Sequence, residues 1–181
     1  MNLTIHTVDD APAESRLTLA GIAADLGLVP NLAAVAAASP PLLSGFDGLR
    51  RAVAATKLDP VLREVAGLAV GVAVDNHYGV AFHSTGLANL GVDEAQIDLI
   101  RNGEAPTDST QSAVRALASE IAVNRGKVSD ATRAQAAAAG LSDQEVLEIV
   151  LECVFAGMVG VIDNLAGHVT LDGFLAPRAW R

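Results

Sequence analysis

The chain is punctuated for helices at short, regular intervals. Ser39-Pro40-Pro41 and Asp59-Pro60 each set an N-capping side chain before a proline, whose fixed φ suits the first helical turn. Gly91-Val92-Asp93 and Gly140-Leu141-Ser142 each set a glycine where one helix stops and a capping residue where the next starts. Gln96 and Glu145 stand three positions beyond Asp93 and Ser142, the spacing of a capping box, and the Ser142-Asp143-Gln144-Glu145 joint has the fuller signal. Between these marks the apolar residues recur at helical spacing, as at Leu17, Ala20, Ile22, Ala24 and Leu26, or Val114, Leu117, Ala118, Ile121 and Ala122. The first of these helices is expected to stop at Gly27, and Asn31 is expected to cap a short one reaching Ala38. Asp108 or Ser109, and then Ser129, are expected to open two more, and residues 173–181 an irregular tail. No stretch alternates as a strand would. The class is therefore all-α, with residues 1–181 expected to form a single-domain helical bundle.

What fills such a bundle follows from composition. The chain is 51% hydrophobic yet only 3% aromatic, so its core must be Ala, Val, Leu and Ile, which suits closely packed helices. A formal charge of −9 without a basic cluster argues against nucleic acid or anionic lipid as partner. Residues 1–16 lack the basic start and apolar segment of a secretory signal, so a cytoplasmic location is expected. The apolar runs 65–74 and 153–162 fall well short of the roughly 20 residues of a membrane helix, and are expected to be core or subunit-interface helices. One cysteine, Cys153, excludes an internal disulfide or a Cys-X-X-Cys pair, and its apolar neighbours should keep the thiol protonated.

Nearly all the side chains able to do chemistry fall within residues 63–83. Asp75 or Asn76 is expected to cap a helix that ends near residues 89–91, and if 76–83 is helical, Asn76, Gly79 and His83 share one stripe, with Glu64 arriving from the preceding helix. A carboxylate, an imidazole and a carboxamide would then surround a glycine-sized hollow. Gly67 and Gly71, four residues apart, are expected to give a smooth strip for another helix. His77 points about 100° away from Asn76 on such a helix. Tyr78 is placed either to donate a hydrogen bond into the site or to meet a neighbouring subunit. The i, i+6 spacing of His77 and His83 separates them, so no metal is expected there. His168 with Asp163 and Asn164 forms a second polar group in an apolar helix, where buried polar groups need partners, and is expected to be structural. No phosphate loop, Schiff-base lysine or haem-attachment motif is present, and no cofactor is expected.

The offsets Glu64, Asn76, Gly79, His83, with Tyr78 between the middle two, resemble those of the carboxymuconolactone decarboxylases and alkylhydroperoxidase D-like proteins. Gly27-Leu28-Val29-Pro30-Asn31, Ser39-Pro40, Gly86-Leu87-Ala88 and Gly91-Val92-Asp93-Glu94 extend the likeness over about residues 25–105. Redox-active members carry cysteines where this chain has Asn76 and Gly79. The resemblance therefore implies the fold and a Glu/His site, and departs from the family at the residues that would name the reaction.

With no thiolate available, peroxidase chemistry is disfavoured. Proton transfer next to a carbonyl, as in the decarboxylase branch, needs only a base, an acid and an anion-stabilising donor, roles open to His83, Glu64 and Asn76. Tyr78, Gly79 and His77 are the expected substrate contacts, and a small carboxylate or lactone undergoing decarboxylation or isomerisation is the expected substrate class. A catalytically silent oligomer binding a small ligand is the alternative. The resemblance also implies rings of three subunits or pairs of rings. The apolar surplus points the same way, so a homotrimer or homohexamer with Tyr78 or Phe82 near a neighbour is expected.

Overall fold

The computed structural model of the protein describes residues 1 and 3–181. Among these the architecture is all-α, with nine α-helices and a short 3-10 turn. In chain order the helices are α1 (Ala13–Leu26), α2 (Asn31–Ala36), α3 (Pro40–Ala54), α4 (Pro60–Ala73), α5 (His77–Asn89), α6 (Glu94–Arg101), α7 (Ser109–Asn124), α8 (Asp130–Ala138) and α9 (Asp143–Ala166). No described helix is long and apolar enough to cross a membrane.

The punctuation read in the sequence works largely as physical chemistry dictates. Asp59 accepts hydrogen bonds from the Val61 and Leu62 amides and starts α4, with Pro60 in its first turn. Ser142 and Glu145 form a full capping box at α9. Asp93 caps α6 alone, because Gln96 turns instead to accept from Thr107. Asn31 departs from expectation: it is the first residue of α2, its amide donates to Asp172, and its carboxamide donates to the Thr170 carbonyl. A capping signal was thus overridden by a contact about 140 residues away. The tail is not wholly irregular: Ala176–Arg178 makes a 3-10 turn, and the Trp180 indole donates to the Arg101 carbonyl.

Helix α4 is the hub. It packs against α5, α6, α7 and α9, and Val65, Leu68 and Val70 are fully buried, each worth about 1.5–3 kcal/mol of transfer free energy. Two apolar clusters result. One gathers α4 with Ile97, Ile100, Val114, Ile149 and Cys153. The other joins Leu19, Ile22, Leu32, Leu43 and Phe46 to Val159 and Ile162. Helix α5 bridges them, sending Val80 and Leu87 into the first and Tyr78 and Ala81 into the second, and α9 does the same with Ile149 and Val159. Polar side chains on α4, α5 and α9 therefore meet where the two clusters join.

Helix α9, whose run 153–162 is expected to be a core or subunit-interface helix, keeps one apolar face uncovered in the chain by itself. Leu147, Val154, Val161 and Leu165 are 67%, 53%, 68% and 56% exposed. With Leu151 and Met158 they follow each other in steps of four and three, the repeat of a coiled-coil seam.

Candidate active site

Glu64 lies in the second turn of α4, with its side chain directed back along the helix, and His83 lies in the second turn of α5. Nδ1 of His83 is 2.8 Å from Oε2 of Glu64, and both residues are buried. The pair fits because two glycines leave room for it. A Cβ on Gly67 would stand 2.2–2.5 Å from the imidazole ring, and one on Gly86 would stand 2.6 Å from the Glu64 carboxylate. Gly67 is thus the seat of the imidazole, and the smooth strip expected there is what lets α5 bring the ring in. Gly71 keeps that part, with Val80 of α5 3.1 Å from where its Cβ would be.

The third member stands at no spacing that links it to the other two. Glu152, on α9, is almost fully buried and brings Oε1 to 3.6 Å from Nε2 of His83, too far for a hydrogen bond, and that oxygen has no other partner. One imidazole therefore stands between two carboxylates from different helices. Burial would raise the Glu64 carboxyl, but the hydrogen bond and positive charge of His83, with Arg63 beside it, hold it below the usual range. Burial would lower the His83 imidazole, but the Glu64 hydrogen bond and the charges of Glu64 and Glu152 push it up. Glu152 has no hydrogen bond to offset its burial and is pushed up, with the His83 charge opposing and the Glu64 charge adding. Two carboxylates with environments that drive them apart around a shared imidazole form an acid–base set. Because Glu64 is the ionised partner, Nδ1 of His83 carries the proton it donates to Glu64, and Nε2 is left for exchange.

His83 lines a cavity of about 120 Å³ with Leu32, Phe46, Tyr78, Gly79, Phe155 and Val159. Its wall is nearly all carbon. Arg50 also reaches it, but that guanidinium is paired with Asp25 and Asp47. The Tyr78 hydroxyl donates to Asp172, and burial followed by that bond pushes the phenol far above its ordinary value, so it stays protonated.

Of the expected site residues, the structure brings Glu64, His83, Tyr78 and Gly79 to one place and leaves two outside it. Asn76 is not helical and shares no stripe with His83. Its amide donates to the Gly71 carbonyl as α4 ends, and its Oδ1 accepts from the Gly79 amide as α5 begins. The carboxamide nitrogen is buried without a partner, 2.3 Å from where a Gly79 Cβ would stand. Gly79 is therefore required by the Asn76 cap, and the hollow expected there is filled by the carboxamide. His77 is the second correction: it points away from the cavity and stacks on His168, ring centroids 3.8 Å apart. Cys153 is buried near the Ala118 carbonyl, and burial, then the Glu152 charge, pushes its thiol up to about 12.

Residues 40–120 match the carboxymuconolactone decarboxylase family. Among solved structures, the alkylhydroperoxidase AhpD core protein from Ralstonia eutropha, described as peroxidase-related, aligns with a TM-score of 0.80 at 19% identity, over 96% of this chain and 94% of that one. A peroxidase-related protein from Silicibacter aligns at 0.76 and 18% identity, over 96% and 91%. The debrominase Bmp8 in complex with 2,3,4-tribromopyrrole aligns at 0.77 and 17% identity, over 98% and 96%. These likenesses show a shared fold. No curated protein matches the sequence.

Proposed function

Because the chain belongs to the carboxymuconolactone decarboxylase family, which includes enzymes, we propose that it is a cysteine-independent acid–base enzyme acting on a small, uncharged ring compound such as a lactone. The observation that carries this is the Glu64–His83–Glu152 set, whose His83 lines a small apolar cavity. Cavity size supports a single ring, since an engineered cavity of about 150 Å³ takes up benzene. Charge supports a neutral substrate over a free carboxylate. An anion there would lose its hydration against carbon walls, beside two carboxyl groups, with the Arg50 charge already matched. Nε2 of His83 would take a proton from carbon next to the carbonyl, Glu64 would steady the resulting imidazolium through Nδ1, and Nε2 would return that proton to another carbon of the enolate, leaving His83 neutral again beside Glu152. Isomerisation needs no more than this, and decarboxylation would need the carboxylate that the cavity disfavours. Asn76 is omitted from the chemistry because its oxygen is committed to the cap.

The test is a panel of small lactones, β-keto acids and peroxides assayed against wild type, His83→Ala and Cys153→Ser. Lactone turnover lost in His83→Ala and kept in Cys153→Ser is the expected result. Peroxide turnover lost in Cys153→Ser would contradict it.

We also propose that the protein assembles as a homotrimer or homohexamer. The α9 stripe in which Leu147, Val154, Val161 and Leu165 are exposed and Leu151 and Met158 half-buried supports self-association, and the family resemblance supports the ring size. Phe82 is exposed enough to meet a neighbour, whereas Tyr78 is buried against Asp172. Sedimentation should find no stable monomer at micromolar concentration, and Val154→Glu with Val161→Glu should produce one.

A further inference from the structure

We propose that Asp75, His77 and His168 form a binding site for a zinc-class divalent cation, separate from the cavity that His83 lines. One ligand atom from each of the three lies within 4.8 Å of the others, and Nε2 of His77 is 3.7 Å from Oδ1 of Asp75. Two imidazoles and a carboxylate are the donor set such an ion prefers, and with three protein ligands a fourth position stays open. All three side chains reach solvent, so the ion has an entry path.

The second, independent observation lies behind His168. Asp163 is wholly buried and accepts from the Val169 amide at 2.7 Å, from the Tyr78 amide at 3.3 Å, and from Nδ1 of His168 at 3.1 Å. A buried carboxylate on Nδ1 fixes the proton there and turns the Nε2 lone pair outward, the arrangement that orients metal-binding histidines. Backbone placement is unusual as well. Asp75 and His168 both adopt left-handed φ, at 56° and 68°, although neither is glycine. Each stands just past the end of a long helix, where glycine or asparagine is the ordinary choice.

Two features would have to yield on binding. His77 stacks nearly parallel to His168, so its ring must turn for both lone pairs to converge on one ion. Arg181 holds Nη1 3.5 Å from Oδ1 of Asp75 while lying over Trp180, and the ion would replace it as the counter-charge. The Trp180 ring meets the His77 ring edge-on, and it is the only tryptophan, so its fluorescence reports on that turn.

The experiment is titration of the full chain with zinc chloride, followed by calorimetry and by Trp180 fluorescence. One ion per chain is expected, with a coincident fluorescence change. His77→Ala and His168→Ala should each weaken binding at least about 100-fold, and Asp163→Asn about 10–100-fold. Arg181→Ala should tighten it by a few-fold, and being a surface change it keeps the test alive if Asp163→Asn does not fold. No saturable binding, or binding unchanged in both histidine variants, would overturn the proposal.

Discussion

The protein carries two histidine-carboxylate groups in opposite settings. His83 is sealed between α4, α5 and α9, with Glu64 on one nitrogen and Glu152 near the other. His168 is part-exposed, with a buried carboxylate behind it and a second imidazole stacked on its face. In the first group the charged members are all buried, so moving one proton changes the energy of every other member. In the second, only Asp163 is buried, and the histidines answer to solvent. Sealing suits a proton-transfer set held apart from water, whereas an open face suits a group that takes up something from solution.

The largest expected effect comes from breaking the sealed group. His83→Ala should lower lactone turnover by about 10²–10⁴-fold, the span of a lost general base. It should also destabilise the fold by roughly 3–5 kcal/mol, because the buried Glu64 loses its imidazole partner and keeps only the longer contact to Arg63. Asp163→Ala should cost roughly 2–6 kcal/mol, since the Tyr78 and Val169 amides lose their acceptor in the interior. Urea unfolding of both variants would show whether each group depends on its buried carboxylate or on its imidazole.

Gly67→Ala should cost about 1–3 kcal/mol and move the imidazole off Glu64, because the new methyl would overlap the ring. Activity should fall further than stability does, which kinetics beside thermal unfolding will show. His77→Ala should have the smallest effect, about 0.5–1.5 kcal/mol from the lost stack, with lactone turnover unchanged.

The pH dependence distinguishes the three sealed members. Glu64 is held low when folded, so its contribution is present above the ordinary carboxyl range and is lost as pH falls through its depressed value. His83 is held high, so its contribution is full below about 6.5 and disappears as pH rises through its raised value. Glu152 is also held high, so it increasingly opposes folding as pH climbs above about 4.3. Glu152→Gln should therefore melt higher than wild type at pH 8, and the gain should vanish near pH 4.

Local signals were legible in the sequence and distant ones were not. Asp59 and Ser142 act within three residues of themselves, so their caps could be read directly. Asn31 looked like a cap and lost that part to Asp172, which only the folded chain brings near. The Glu64 and His83 pairing was visible as a frame across two helices. Glu152 reads in the sequence as one acid in an apolar helix, because its partner lies on another helix at no fixed offset. Asn76 carries two sequence signals, a cap for α5 and a place on the His83 stripe, and the fold keeps the cap, which turns the carboxamide to the Gly79 amide.

The most direct test of the sealed set is the pH titration of the His83 ring nitrogens by NMR in wild type and Glu152→Gln. Wild type is predicted to hold the His83 proton above the ordinary histidine range, with Nδ1 protonated throughout, and Glu152→Gln to release it at lower pH. A His83 ring that titrates near 6.5 in both proteins would contradict a shared proton among Glu64, His83 and Glu152.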